Sequence, residues 1–124
     1  MENPPIDIDV ATTYREDRSE PDSGRFVFAY RIRIRNDGDQ VAQLLRRHWV
    51  ITDSNGKVQE VRGDGVVGQQ PVLEPGESYE YSSGAIIETP VGTMQGTYLM
   101  KRNDDVRFEA PIEPFTLAIP GILQ

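Results

Sequence analysis

Apolar and polar residues alternate with a period of two along most of this chain. Phe26, Phe28, Tyr30, Ile32 and Ile34 fall on one face of an extended backbone, and Val27, Ala29, Arg31, Arg33 and Arg35 on the other. A helix would scatter both rows around its circumference, so the segment reads as a strand whose aromatic and isoleucine row seals a core. Ile6, Ile8 and Val10 alternate with Asp7, Asp9 and Ala11 in the same way and predict a first strand. Asn36-Asp37-Gly38 supplies residues that tolerate positive φ, so residues 41–52 are expected to return as the partner strand of a hairpin. Leu45, Trp49 and Ile51 are its expected core contributors. The doubled Leu44-Leu45 breaks the alternation and signals a bulge or burial on both faces.

The same punctuation continues downstream. Asn55-Gly56 is a hairpin signal, after which residues 57–62 form a short polar strand. Residues 63–76 hold four glycines and two prolines and read as a long loop. Tyr79 and Tyr81 begin a further strand that runs through Gly84 to Ile87, and Met94, Gly96, Tyr98 and Met100 share one face of the next. Residues 106–118 form the last, interrupted by Pro111 and Pro114, which belong on an edge or at a bulge because proline has no N–H to donate. About seven short strands separated by turns predict one all-β domain over residues 1–124. Its expected form is an immunoglobulin- or fibronectin type III-like antiparallel β-sandwich, with a small barrel as the alternative. The first few residues and the charged stretch 15–24 are expected to be mobile.

Composition narrows the function classes. A formal net charge of −7 on 124 residues disfavours general attraction to nucleic acid or an anionic membrane. The absence of cysteine excludes disulfides and thiolate chemistry. The N-terminus has neither the basic nor the apolar region of a signal peptide, and a cytoplasmic protein is expected.

Gly63-Asp64-Gly65-Val66-Val67-Gly68 fits the dinucleotide-binding spacing G-x-G-x-x-G. That chemistry requires a helix opening on the last glycine, and Pro71, Pro75 and Gly76 stand where the helix would run. Two readings stay open. The glycines supply positive φ and close packing, or successive loop amides form a nest for a phosphate-like anion, helped by Arg62 and opposed by Asp64. The block from Gly63 to Glu77, together with Tyr81-Ser82-Ser83-Gly84 and residues 89–100, resembles the signature of the ApaG family. Tyr30-Arg31-Ile32-Arg33-Ile34-Arg35-Asn36 and Leu45-Arg46-Arg47-His48-Trp49 look like it too. Asp64 is the departure, since the family more often has glutamate there. The resemblance implies a fibronectin type III-like sandwich without assigned catalytic residues. It also suggests protein interaction, since related domains occur in F-box proteins and in a polymerase-interacting protein. Its name and genetic context suggest, in addition, dinucleoside tetraphosphates and an indirect role in cobalt and magnesium resistance.

The remaining constellations carry less. His48 is the single histidine, without paired ligand spacing, so no metal site is predicted. Asp37, Asp39, Asp104 and Asp105 read as solvated turn residues, and Ser82-Ser83 lacks a nucleophile motif. No cofactor and no catalytic set are expected. Arg31, Arg33 and Arg35 form a basic stripe that either pairs with neighbouring carboxylates or binds an anion, with Arg46 or Arg47 close by if a hairpin follows. The apolar C-terminus completes the core or packs on a second copy in a homodimer. The expected function is a non-catalytic module for an unidentified protein partner. The alternative is a site for pyrophosphate or a dinucleoside polyphosphate at Arg62, Gly63, Gly65 and Gly68, helped by Arg31, Arg33 and Arg35.

Overall fold

The structure, a computed structural model, describes residues 2–121. It comprises β1 (Ile6–Tyr14), β2 (Phe26–Asn36), β3 (Ala42–Asp53), β4 (Val58–Asp64), β5 (Val72–Leu73), β6 (Ser78–Ile87), β7 (Val91–Arg102) and β8 (Arg107–Ala118). The strands form two antiparallel sheets, β1-β2-β6 and β4-β3-β7-β8, with the two-residue β5 continuing the β4 edge against β3. This is the all-β, fibronectin type III-like sandwich that the alternation predicts, and β5 is the addition to the seven expected strands.

The alternation also places the core. Phe26, Phe28, Tyr30, Ile32 and Ile34 are all buried, while Arg31, Arg33 and Arg35 are exposed. Leu44, Trp49 and Ile51 of β3 and Met94, Tyr98 and Met100 of β7 meet them from the facing sheet. Each fully buried aliphatic or aromatic side chain contributes roughly 1.5–3 kcal/mol. Leu44, not Leu45, enters the core. The register of β3 on β7 slips between Leu44 and Arg46, so Leu45 is the extra residue of a bulge and stands half-buried.

The expected hairpin between β2 and β3 does not form. β2 pairs with β1 and β6, and the chain after Asn36 crosses to the other sheet. Asn36, Asp37 and Gly38 all keep negative φ. The fully buried Asn36 side chain makes the crossing instead. Its Nδ2 donates to the carbonyls of Gln40 (2.6 Å) and Leu73 (3.0 Å), and its Oδ1 accepts the Gly38 N–H (2.9 Å). The Asn55-Gly56 hairpin does form. Only Gly56 has positive φ there, and Asp53 Oδ1 accepts the N–H groups of Asn55 and Lys57, both at 2.9 Å.

Residues 15–24, expected to be mobile, fold into two 3-10 turns, Glu16–Arg18 and Pro21–Ser23. Ser19 Oγ ties them down, donating to the Arg15 carbonyl (2.8 Å) and accepting the Val27 N–H (2.9 Å). The N-terminal arm is held too, since Pro4 is buried and the Pro5 carbonyl accepts the Asp37 N–H at 2.9 Å. Pro111 and Pro114 lie on β8, an edge strand, and Pro114 falls where its register slips. Leu117 is buried and Ile119 packs against the core. The apolar residues Ile122 and Leu123 lie outside the described residues.

Candidate functional site

Strand β4 runs through Gly63 and Asp64 before the loop begins, so the first glycine of the motif is a strand residue. Gly63 lies opposite Arg47 in the β3–β4 register, and a Cβ there would sit 2.8 Å from the Arg47 guanidinium nitrogens. Gly65 has φ +63°, and a Cβ would run into the Gln69 carbonyl. The N–H of Gly65 donates to the Leu45 carbonyl (2.8 Å). Val66 and Gln69 then close a tight turn by exchanging N–H and C=O bonds at 2.8 and 2.9 Å. Its two central residues, Val67 and Gly68, have φ +47° and +77°, as a type I′ turn requires. The turn drives Val66 into the core, where it is fully buried. Each glycine thus has a structural task, and the N–H groups of Gly65, Val66 and Gln69 are committed to protein carbonyls.

Above this loop lies an open cavity of about 440 Å³ on the five-stranded sheet, lined by Arg46, Arg47, His48, Arg62, Gly63 and Asp64, with Thr97, Leu99 and Glu109 across it. Arg47 is fixed by its Nη1, which donates to the carbonyls of Asp64 and Gly65, both at 3.0 Å. Arg46 pairs with Asp64 (3.2 Å) and Arg62 with Glu60 (3.6 Å). His48 Nε2 stands 3.6 Å from Glu60 and makes no hydrogen bond within the described residues. The cavity therefore carries mixed charge.

Arg31, Arg33 and Arg35 are not part of it. They lie on the outer face of the three-stranded sheet, and each has a carboxylate partner. Arg31 meets Glu80 (3.4 Å), Arg33 meets Asp9, and Arg35 meets Asp37 (2.8 Å). Of the predicted anion residues, Arg62 and Gly63 line the cavity, Gly65 and Gly68 lie in the turn that follows, and the β2 arginines are on the other layer. Arg46 and Arg47 take their place, because the cavity is built on the β3–β4 hairpin. Counting register back from Asn55-Gly56 would have set Arg47 opposite Gly63.

Between the sheets, the Tyr81 and Tyr98 hydroxyls share a hydrogen bond. Burial pushes both phenols well above the ordinary tyrosine value, and burial raises Tyr30 as well. These hydroxyls are protonated and enclosed at neutral pH, so they bridge layers and are not nucleophiles. Among the described residues no cluster of three or more His, Asp and Glu side chains could hold a metal ion. No helix there is long and apolar enough to cross a membrane.

The second opening lies on the flank where β4 and β6 end the two sheets. A groove of about 670 Å³ runs between these edges. Ile51 and Ala85 form its buried floor, and Val61 (38% exposed) and Ile86 (44% exposed) stand over it. Arg18 and Arg25, carried by the 3-10 segment, complete the rim. The groove was not foreseen from the sequence, because it depends on which strands end each sheet.

Comparison with known proteins agrees with this architecture. Residues 16–102 match the family model described as the ApaG domain. Protein ApaG of Pseudomonas putida strain W619 is 58% identical over 118 residues, covering 95% of this chain and 94% of its own. Protein ApaG of Anaeromyxobacter dehalogenans is 54% identical over the same length. The crystal structure of the ApaA protein from Bordetella pertussis superposes with a TM-score of 0.88 at 50% identity, covering 95% of this chain and 98% of that one. An X-ray structure of a structural-genomics target gives a TM-score of 0.90 at 46% identity, covering 96% and 90%.

Proposed function

The chain belongs to the ApaG family, and from that premise we propose that it is a non-catalytic protein-interaction module. The observation that carries this reading is the β4–β6 flank. Two strand edges face each other there, and large apolar side chains stand in solvent between them. Open edges and contiguous exposed apolar surface are the features through which β-sandwiches receive partners. A tagged full-length chain incubated with native cytosol in mild salt is expected to retain a partner in stoichiometric amount. Recovery of none would remove the reading.

A second reading is favoured by one observation, the convergence of Arg46, Arg47 and Arg62 beside Gly63. A small phosphorylated ligand would enter by displacing Asp64 and Glu60 from Arg46 and Arg62, which guanidinium–phosphate pairing permits. Calorimetry with pyrophosphate, ATP and diadenosine tetraphosphate is the test. Absence of heat at millimolar ligand would eliminate it. Direct metal handling would show as cobalt or magnesium retention in equilibrium dialysis.

A further inference from the structure

Resting on the interaction reading, we infer that the open flank receives an extended partner segment by strand addition to β6, and that this segment alternates apolar and acidic residues.

The backbone of β6 supplies the first part of the case. The Ile86 carbonyl accepts a hydrogen bond from Gln59 Nε2 across the groove (3.2 Å). It therefore points away from β2. Its register partner, Val27, points the other way and gives its carbonyl to the Arg15 N–H (2.8 Å). Antiparallel pairing alternates, so Gly84 and Ser82 share the orientation of Ile86 and turn their N–H and C=O groups to the flank. A row of such groups is a template for an incoming strand. The exposed Gln59 amide holds one of them and would be displaced.

The side chains supply the second part. An added strand sends alternate residues to opposite faces of the sheet. One row falls between the layers, over Val61, Ile51 and Ala85, and suits aliphatic residues. The other row lies beside Ile86 on the outer face, where Arg18 and Arg25 line the groove. Arg31, Arg33, Arg35, Arg46, Arg62 and Arg102 each have a carboxylate partner. Among the described residues, neither the Arg18 nor the Arg25 guanidinium has one within 4.0 Å. On a chain with a net charge of −7, two arginines with no carboxylate within ion-pair distance, set beside an apolar groove, favour carboxylates. Their backbones are anchored, Arg25 by paired bonds with Glu20 (2.8 and 3.0 Å) and Arg18 by the Arg15 carbonyl (3.1 Å).

The probe is a capped, fluorescent ten-residue peptide alternating valine and glutamate, compared with its valine–lysine counterpart. Anisotropy titration of the full chain should show binding of the glutamate peptide only, weakened on the order of tenfold by R18E/R25E. In amide NMR spectra, the Ser82, Gly84 and Ile86 signals should shift most and gain protection from hydrogen exchange. Both arginines are exposed, so the charge-reversed chain keeps its fold, which the same spectra verify. Equal binding of the lysine peptide, no binding of the glutamate peptide, or shifts centred on β1 or on the Gly65–Gly68 turn would overturn the inference. If R18E/R25E and the unaltered chain retain the same cytosolic partner equally, the interaction reading stands and this site falls.

Discussion

The two flanks of the sandwich are built from the same kind of strand and finished differently. On one flank β1 and β8 close the gap between the layers. Ile6, Ile8 and Val10 turn inward there, and Phe115 packs on Tyr30 and Trp49 with ring centroids 6.4 and 5.9 Å apart. The edge is dressed with Asp7, Asp9, Pro111 and Pro114, all exposed. On the other flank β4 and β6 leave a groove with exposed Val61 and Ile86 and with Arg18 and Arg25, which have no carboxylate within 4.0 Å among the described residues. One flank holds the layers together, and the other leaves apolar surface available. Stability is thus carried by one side of the core, and the recognition we propose falls on the other.

Substitution at the closed flank should have the largest effect. Phe115→Ala removes a half-buried ring from an aromatic cluster and is expected to cost about 2–3 kcal/mol, read as a lower urea midpoint with an unchanged slope. The tyrosine bridge between the flanks should appear as an alkaline transition. Tyr81 and Tyr98 titrate higher in the folded chain than in the unfolded one, because burial disfavours phenolate. Their contribution is therefore complete below pH ~10 and is lost as pH rises further, by on the order of 1.4 kcal/mol per pH unit for each group. Tyr81→Phe combined with Tyr98→Phe should flatten that decline in urea titrations between neutral pH and pH 11, and an unchanged slope would show the bridge to be irrelevant. On the open flank Val61→Ala should cost less than about 1 kcal/mol, because the side chain already meets solvent. Ile86→Glu should change stability by no more than about 0.5 kcal/mol while abolishing binding of the valine–glutamate peptide, because it sets a like charge beside the glutamate row. A large stability loss from Ile86→Glu would dissolve the contrast between the flanks.

The arginines repeat the lesson on a smaller scale. The stripe of Arg31, Arg33 and Arg35 is plain in the sequence, because period two alone sets those side chains on one face. Its neutralisation is not plain, because Asp9 and Glu80 arrive from β1 and β6, whose register no local pattern announces. Arg18 and Arg25 looked like part of a loose charged stretch and became rim residues once Ser19 and paired backbone bonds fixed that segment. The strands themselves were legible wherever alternation ran unbroken, as from Phe26 to Ile34. It failed at Leu44-Leu45, where a bulge swaps which leucine faces inward, and at Val66, which a type I′ turn folds back into the core. It failed also at Asn36, where a glycine-containing turn signal concealed a crossing between layers. At Asn36 the deciding bond joins residues far apart in the chain, Asn36 Nδ2 to the Leu73 carbonyl.

The prolines of β8 set a limit on which edges of the sandwich can accept a strand. Pairing alternates outward from the Arg102–Val106 hairpin bond, which leaves the Pro111 nitrogen on the outer rim of its sheet with no hydrogen to offer. A second molecule therefore finds no continuous ladder at β8, whatever is seated on β6. The missing N–H thus guards the β8 edge of the five-stranded sheet against the edge-to-edge pairing by which fibrils grow.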